Sequence, residues 1–281
     1  MKIIEKHIVP KIEVPIRLQE YAVGIFKTLP SRSGIKKAIK KQLILLNGKP
    51  ANTGDWIEEG QLLELLAEEL PQKKIFQLKL RVIFEDEFLA VIEKPSGYPT
   101  NGNYFKTIEN ALPYNLKTSE EEDALPYPIP VHRLDNPTSG LLIIAKTKNA
   151  QVKLNQAFEA KEIQKSYLAI VSGAMVSERV FNSAIEGKKA ETPFQLKEIF
   201  EKEERNFSLV ELFPTTGRTH QIRIHLSKNG NPIVGDETYG SSEKLKGILL
   251  AAHSLKFQHP ITNETLHFEN NFPKKFQNFM A

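Results

Sequence analysis

The sequence predicts an α+β protein in which a mixed or antiparallel sheet follows a small helix-helix-sheet module. Three observations carry this expectation. From Leu78 onward, short strand-like runs outnumber helical ones. Ahead of that point, a basic stretch without acids meets an acidic stretch without bases. Neither part contains a fixed-period repeat or a glycine-rich phosphate loop. At 281 residues the chain exceeds one typical domain. Two are expected, spanning 1–70 and 71–281.

In the first part, residues 16–29 and 33–43 read as amphipathic helices. Ile35, Ala38, Ile39 and Leu43 give the second an apolar stripe, and Lys36, Lys37, Lys40 and Lys41 fall mostly on the other face. Asn47-Gly48 is expected to turn between two short strands, and GDWIEEGQLLEL supplies the return strand. PQKKIFQ reads as a linker. LRVIFEDEFLAVIEKPSG is two strand runs around an acidic turn, and the proline-broken TSEEEDALPYPIP is expected to be an exposed loop. Further strands are expected at 140–145, 167–171, 193–200 and 207–212. Helices are expected at 149–161, capped by Asn149, and at 218–228 after the Thr215-Thr216-Gly217 turn.

Composition excludes several chemistries. With no cysteine, the chain has no disulfide, iron–sulfur cluster, thiolate nucleophile or cysteine-bound zinc. His220 and His225 are five apart, His253 and His259 six apart, and neither pair has a nearby third ligand. No metal is expected. The opening MKIIEKHIVPKIEVP is broken by charges and prolines where a signal peptide needs an apolar core. No run approaches the roughly 18 apolar residues of a membrane span. A cytoplasmic chain without a membrane partner is the expectation. The formal charge is only +4, yet Tyr21 to Gly54 holds Lys27, Arg32, Lys36, Lys37, Lys40, Lys41 and Lys49 and no acid. That asymmetry points to an anionic partner.

The segment LPSRSGIKKAIKKQLILLNGKPANTGDWIEEGQLLEL resembles a small RNA-binding module first described in a ribosomal small-subunit protein and appended to many RNA-modifying enzymes. Gln42 stands where that module usually has glycine. Downstream, VHRLDNPTSGLLIIAKT resembles the central motif of the RluA-type RNA pseudouridine synthases. DEFLAVIEKPSG, KSYLAIVSG, TGRTHQIRIHLSKNGNPIVGDETYG and LLAAHSLKFQHP are similar to the family's other motifs, in order, across residues 78–260.

The resemblance implies an isomerase that converts specific uridines of structured RNA to pseudouridine. Ribosomal large-subunit RNA is the favoured target and transfer RNA the runner-up. No cofactor and no obligatory protein partner are implied. The chemistry needs a carboxylate at the ribose, acting as nucleophile or as base, and Asp135 stands at the family's catalytic position. By the same resemblance Arg223 would hold that carboxylate, Tyr167 would lie against the uracil, and Ile222 would close the apolar side of the pocket. Arg133 would occupy the space the uridine leaves. Arg32, Lys36, Lys37, Lys40, Lys41 and Lys94 are the expected RNA contacts, with Lys94 equally readable as a turn anchor. His220 and Gln221 would shape the start of a helix, and Asp236 would fix a loop. Asn136-Pro137 and Ala251 depart from the family pattern and bear on target preference.

Two other readings are open. A serine hydrolase would use Ser139 with Asp135 and a histidine, but no G-x-S-x-G elbow is present. A non-catalytic RNA-binding protein that retained the synthase fold would not require Asp135, Tyr167 and Arg223 all to be present.

Overall fold

A computed structural model describes residues 2–67, 74–176 and 178–281. The chain divides into two compact units, Met1–Gln72 and Lys73–Ala281. Of the PQKKIFQ stretch, residues 71–73 lie outside the described residues, and 74–77 are irregular.

The first unit runs β1 (Ile3–Ile8), β2 (Ile16–Arg17), α1 (Leu18–Tyr21), α2 (Arg32–Lys40), β3 (Ile44–Leu46), β4 (Lys49–Pro50), β5 (Trp56–Ile57) and β6 (Leu62–Leu66). Its main sheet has the order β1-β6-β3-β4, and β2 pairs with β5. The apolar stripe of α2 (Ile35, Ala38, Ile39) is buried with Leu18, Phe26, Ile44 and Leu63. Lys36, Lys37, Lys40 and Lys41 are exposed. Arg32 is exposed and pairs with Glu20 at 2.9 Å. Asn47 and Gly48 have φ of 50° and 77°. Such positive values suit a two-residue hairpin turn.

The expected helix over 16–29 is only one turn long. Gly24 takes φ +81°, and the chain continues in turns whose Lys27 and Thr28 amides donate to the Glu5 carboxylate. The second helix ends at Lys40 rather than Leu43. Gln42 adopts φ 57°, its N–H donates to Ile39 O, and the Leu43 N–H donates to Ala38 O. This is a Schellman closure with glutamine at the position glycine usually fills.

The second unit runs β7 (Arg81–Glu85), β8 (Leu89–Lys94), α3 (Ile108–Asn115), β9 (Ala124–Pro130), β10 (Ser139–Thr147), α4 (Lys148–Glu159), β11 (Gln164–Ser172), β12 (Glu178–Phe181), β13 (Thr192–Lys202), β14 (Arg205–Leu212), α5 (Gln221–Lys228), β15 (Leu250–Gln258), β16 (Thr265–Glu269) and α6 (Lys274–Met280). These strands form one sheet ordered β12-β13-β14-β11-β15-β10-β8-β7, with β16 on β15 and β9 on β10. It is mixed. β10 and β15 are parallel, with backbone pairing at Ser139↔Ala251 and Gly140↔Ala252, whereas β10 runs antiparallel to β8 and β11 runs antiparallel to β14 and β15. Among the described residues, no helix is long and apolar enough to cross a membrane.

Two local expectations change here. The loop expected over 118–130 contains β9, which pairs with β10 through Pro130↔Ile144 and Ile129↔Ala145. The Val131 N–H turns toward β10 and donates to Ile143 O at 3.1 Å. Alternation then turns Pro130 and Pro128 away, where a missing N–H costs the ladder nothing. The cap of α4 is Thr147, not Asn149, because the buried Thr147 hydroxyl accepts from the Ala150 N–H at 3.2 Å.

Candidate active site

Asp135 lies in the loop that leads into β10, and buried polar groups fasten that loop from several sides. The Thr100 hydroxyl donates to Leu134 O at 2.9 Å and accepts from Leu134 N–H at 3.1 Å. Thr138 N–H closes a turn onto Asp135 O at 3.0 Å, and Gly97 N–H reaches Asn136 O at 2.9 Å. Lys94 has no exposed surface. Its ammonium donates to the carbonyls of Pro95, Asn136 and Thr138 at 3.1, 3.2 and 2.8 Å. Its expected place among the RNA contacts is therefore corrected: Lys94 is enclosed, and its donors go to the backbone flanking Asp135. Burial pushes its amine down to about 7, against the pull of Asp135. The three carbonyl acceptors call for all three ammonium protons, so the geometry favours the charged form.

Glycine is required just beyond. Gly140 sits at φ +118°, and a Cβ there would lie 2.1 Å from Ala252 O. Its small size permits the close approach of β10 to β15 that sets Asp135 beside β11 and α5.

The facing wall comes from β11 and the segment 213–240. Tyr167, on β11, packs against two apolar clusters, one that includes Leu134 and Ala252 and one that includes Ile222 and Leu250. Burial, with the charge of Asp135 adding, pushes its phenol above the ordinary range. Gln221, buried at the start of α5, organises the preceding loop. Its side-chain oxygen accepts from Thr216 Oγ1 (2.7 Å) and Arg218 N–H (3.0 Å), and its amide donates to Glu191 O and Thr192 Oγ1. His220 takes a left-handed φ of 55° to enter the helix. Its Nδ1 meets Tyr239 Oη at 2.8 Å, and its Nε2 lies 3.9 Å from Asp135 Oδ1.

Arg223 reaches Asp135 Oδ2 with Nη1 at 3.8 Å. Its tight partner is Asp236, to which Nε and Nη2 donate at 2.6 and 2.8 Å. The guanidinium also lies 4.7 Å over the Tyr239 ring, a cation–π arrangement. Burial alone would lower the Arg223 pKa, but hydrogen bonds and charge from Asp236, with Asp135 adding, hold it above the usual value. The fork expected to hold Asp135 is thus occupied by Asp236, and one guanidinium nitrogen remains toward the cleft.

Asp135, Arg133, Tyr167, Ile222 and Arg223 all line one cleft of about 940 Å³. Arg133 is exposed and makes no hydrogen bond or ion pair among the described residues. Its neighbour His132 turns inward, where Nε2 accepts from Ile143 N–H at 3.0 Å. Burial and Lys165 push this imidazole down to about 3, so it is neutral. Tyr239 escaped the sequence reading. Its signal was the register of ETYG, three residues past Asp236, but no spacing rule ties a tyrosine there to His220 and Arg223. Among the described residues, no group of three or more His, Asp or Glu is arranged to hold a metal ion.

Known proteins are similar to this chain over most of its length. The sequence model described as RNA pseudouridylate synthase matches residues 88–228. An uncharacterized RNA pseudouridine synthase of Aquifex aeolicus is 34% identical, over 88% of this chain and 87% of that protein. A ribosomal large subunit pseudouridine synthase D of Xanthomonas campestris is 32% identical, over 89% and 84%. A ribosomal large subunit pseudouridine synthase C of Yersinia pestis is 30% identical, over 90% and 87%. Among solved structures, human RNA pseudouridylate synthase domain containing 1 superposes with a TM-score of 0.59 at 25% identity, covering 73% of this chain and 87% of that one.

Proposed function

Because the chain belongs to the RNA pseudouridylate synthase family, we propose that it isomerises uridines of large-subunit ribosomal RNA, with Asp135 as the reacting carboxylate. The enzyme class is an RNA isomerase. The ribosomal target is supported by relatives named for the large subunit. The observation that carries the role of Asp135 is its place in the cleft. The carboxylate is partly exposed, its backbone is held from both sides, and it faces Arg223 at 3.8 Å.

Isomerisation breaks the bond from ribose C1′ to uracil N1, turns the base and rejoins it through C5. Electrons and atoms balance without an external reactant. An ionised carboxylate at the sugar can attack C1′ or remove the C2′ proton, and both routes begin from the same charge state. Arg223 turns Nη1 toward that carboxylate at 3.8 Å, while Asp236 keeps the guanidinium aimed. Tyr167 and Ile222 offer the detached uracil an apolar wall. Arg133, exposed and unpaired, is suited to fill the stack the uridine leaves, a step that costs a few kcal/mol. In the first unit, the exposed lysines of α2 support a role in holding RNA backbone.

Asp135→Asn keeps the shape and removes the charge. Turnover should vanish, measured as tritium release from C5-labelled uridine in RNA, while RNA affinity persists. Turnover at a hundredth of the parent rate would overturn the role of Asp135.

A further inference from the structure

We propose that the loop over residues 101–106 is a stacking platform for an unpaired RNA base beside the target uridine, with Tyr104 as the ring that base meets. This rests on the RNA substrate of the preceding section and extends it to a neighbouring nucleotide. The loop is closed at its base, where Ile108 N–H donates to Pro99 O at 3.0 Å and Glu109 N–H to Thr100 O at 2.9 Å. The Asn110 side-chain amide donates to the carbonyls of Tyr104 and Phe105 at 3.1 and 3.0 Å. Phe105 packs edge-on against Phe76 with ring centres 5.6 Å apart, and Phe76 meets Tyr98 at 5.7 Å. Phe76 and Tyr98 in turn lie against the core cluster that contains Leu134. The backbone that carries Tyr104 is therefore anchored to the core beneath the Asp135 loop.

The ring itself is left over. Tyr104 is 72% exposed and has no ring contact or hydrogen bond among the described residues. A single exposed aromatic is ordinary on a protein surface, so its place and its surroundings have to carry the inference. Its place is next to the chemistry. Thr100 grips the backbone of Leu134 at both N–H and O, and Tyr104 is four residues further on, at most about 14 Å of extended chain. That reach belongs to nucleotides close to the one at Asp135. Its surroundings suit a polyanion. Residues 95–108 contain no acid, and Lys106 and Arg133, both exposed, have no ion pair among the described residues. Proteins that hold unpaired nucleotides combine cations for the backbone with aromatic rings for the bases. A tyrosine on a fixed backbone also has few torsions to immobilise when a base settles on it.

The test uses the full chain and a large-subunit ribosomal RNA transcript. Conversion of uridine by the parent enzyme, with mapping of the product, comes first, and failure there sinks the substrate reading and this proposal with it. With the target fixed, ligated transcripts are prepared that lack one base at a time on either side of it. One of these lesions should weaken binding to the parent roughly tenfold, within what stacking of one base contributes. Tyr104→Ala should weaken binding of the intact transcript by the same factor and be indifferent to that lesion, the non-additivity of two groups in contact. Tyr104→Phe should restore both the affinity and the response to the lesion, because the ring carries the contact. The thermal midpoint of Tyr104→Ala should match that of the parent. Equal affinity of parent and Tyr104→Ala for the intact transcript would overturn the proposal while leaving the substrate reading intact. So would a lowered midpoint, because the ring would then be serving the fold.

Discussion

Arg223 is balanced away from the reacting position, since both of its short hydrogen bonds go to Asp236 and only a 3.8 Å approach goes to Asp135. Asp236 is 1% exposed, so Arg223→Ala would leave a buried carboxylate unpaired and should cost about 3–5 kcal/mol. Asp236→Ala should cost a similar amount, and the double variant less than the sum. Urea denaturation of the three variants checks this. A cost near zero for either single change would mean that the pair is not what holds α5. His132 sets a pH dependence. Its folded pKa, about 3, lies below the unfolded value of about 6.5. Between those values the unfolded chain binds a proton that the folded chain refuses, so stability falls with falling pH, by about 1.4 kcal/mol per unit well below 6.5. His132→Asn, whose oxygen can accept the Ile143 N–H, should flatten that fall in denaturation curves taken between pH 7 and 4.5. At this scale the sequence identifies Asp135, Tyr167, Ile222 and Arg223 through their motifs, and the fold gathers them in one cleft. It does not reveal that Asp236 takes the arginine fork, because that depends on how the loop after α5 folds back. Nor does it decide between the two readings of Lys94, since both place a lysine before a proline turn and only burial separates them.

The elements show where pattern reading succeeds and where backbone chemistry overrides it. The stripe of α2 is legible because four apolar residues recur at helical spacing, but its end is not. Gln42 spends about 1–2 kcal/mol in the left-handed region to complete the closure onto Ala38 and Ile39. Gln42→Gly removes that cost and adds about 0.5–1 kcal/mol of chain entropy. The net expectation is a gain of roughly 0.5–1 kcal/mol for the first unit, read as a higher urea midpoint of its transition. A lower midpoint would show that the glutamine side chain contributes something the closure does not explain. The helix expected over 16–29 stops because Gly24 leaves the helical region, and a single glycine inside an apolar pattern does not announce its φ. Strand β9 was hidden by its prolines, which read as a loop until the direction of each missing N–H is known. The parallel contact of β10 with β15 is likewise invisible locally, since it joins residues more than a hundred positions apart.

For the molecule as a whole, the lysine face of α2 and the chemical motifs fall in different units. Lys36, Lys37 and Lys40 are exposed on α2, and the chemical motifs all lie beyond Leu78. Replacing Lys36, Lys37 and Lys40 together with Gln should flatten the log affinity–log salt slope for RNA by about 2, at 0.7 per phosphate contact, and leave turnover at saturating RNA unchanged. Filter binding at several salt concentrations decides it, and an unaltered slope would assign that face to packing. In the second unit, the β8–β10 part carries Asp135 on its entering loop, whereas β11, β15 and α5 carry or adjoin Tyr167, Ile222 and Arg223. Between those two sets of strands the backbone ladder has only two rungs, Ser139↔Ala251 and Gly140↔Ala252. On the reading proposed above, a nucleotide seated against Asp135 on one side and Tyr167 on the other would tie the two sets together through their side chains. Its arrival should then slow hydrogen–deuterium exchange at amides of β10 and β11 alike, so that the substrate itself braces the narrow join that receives it.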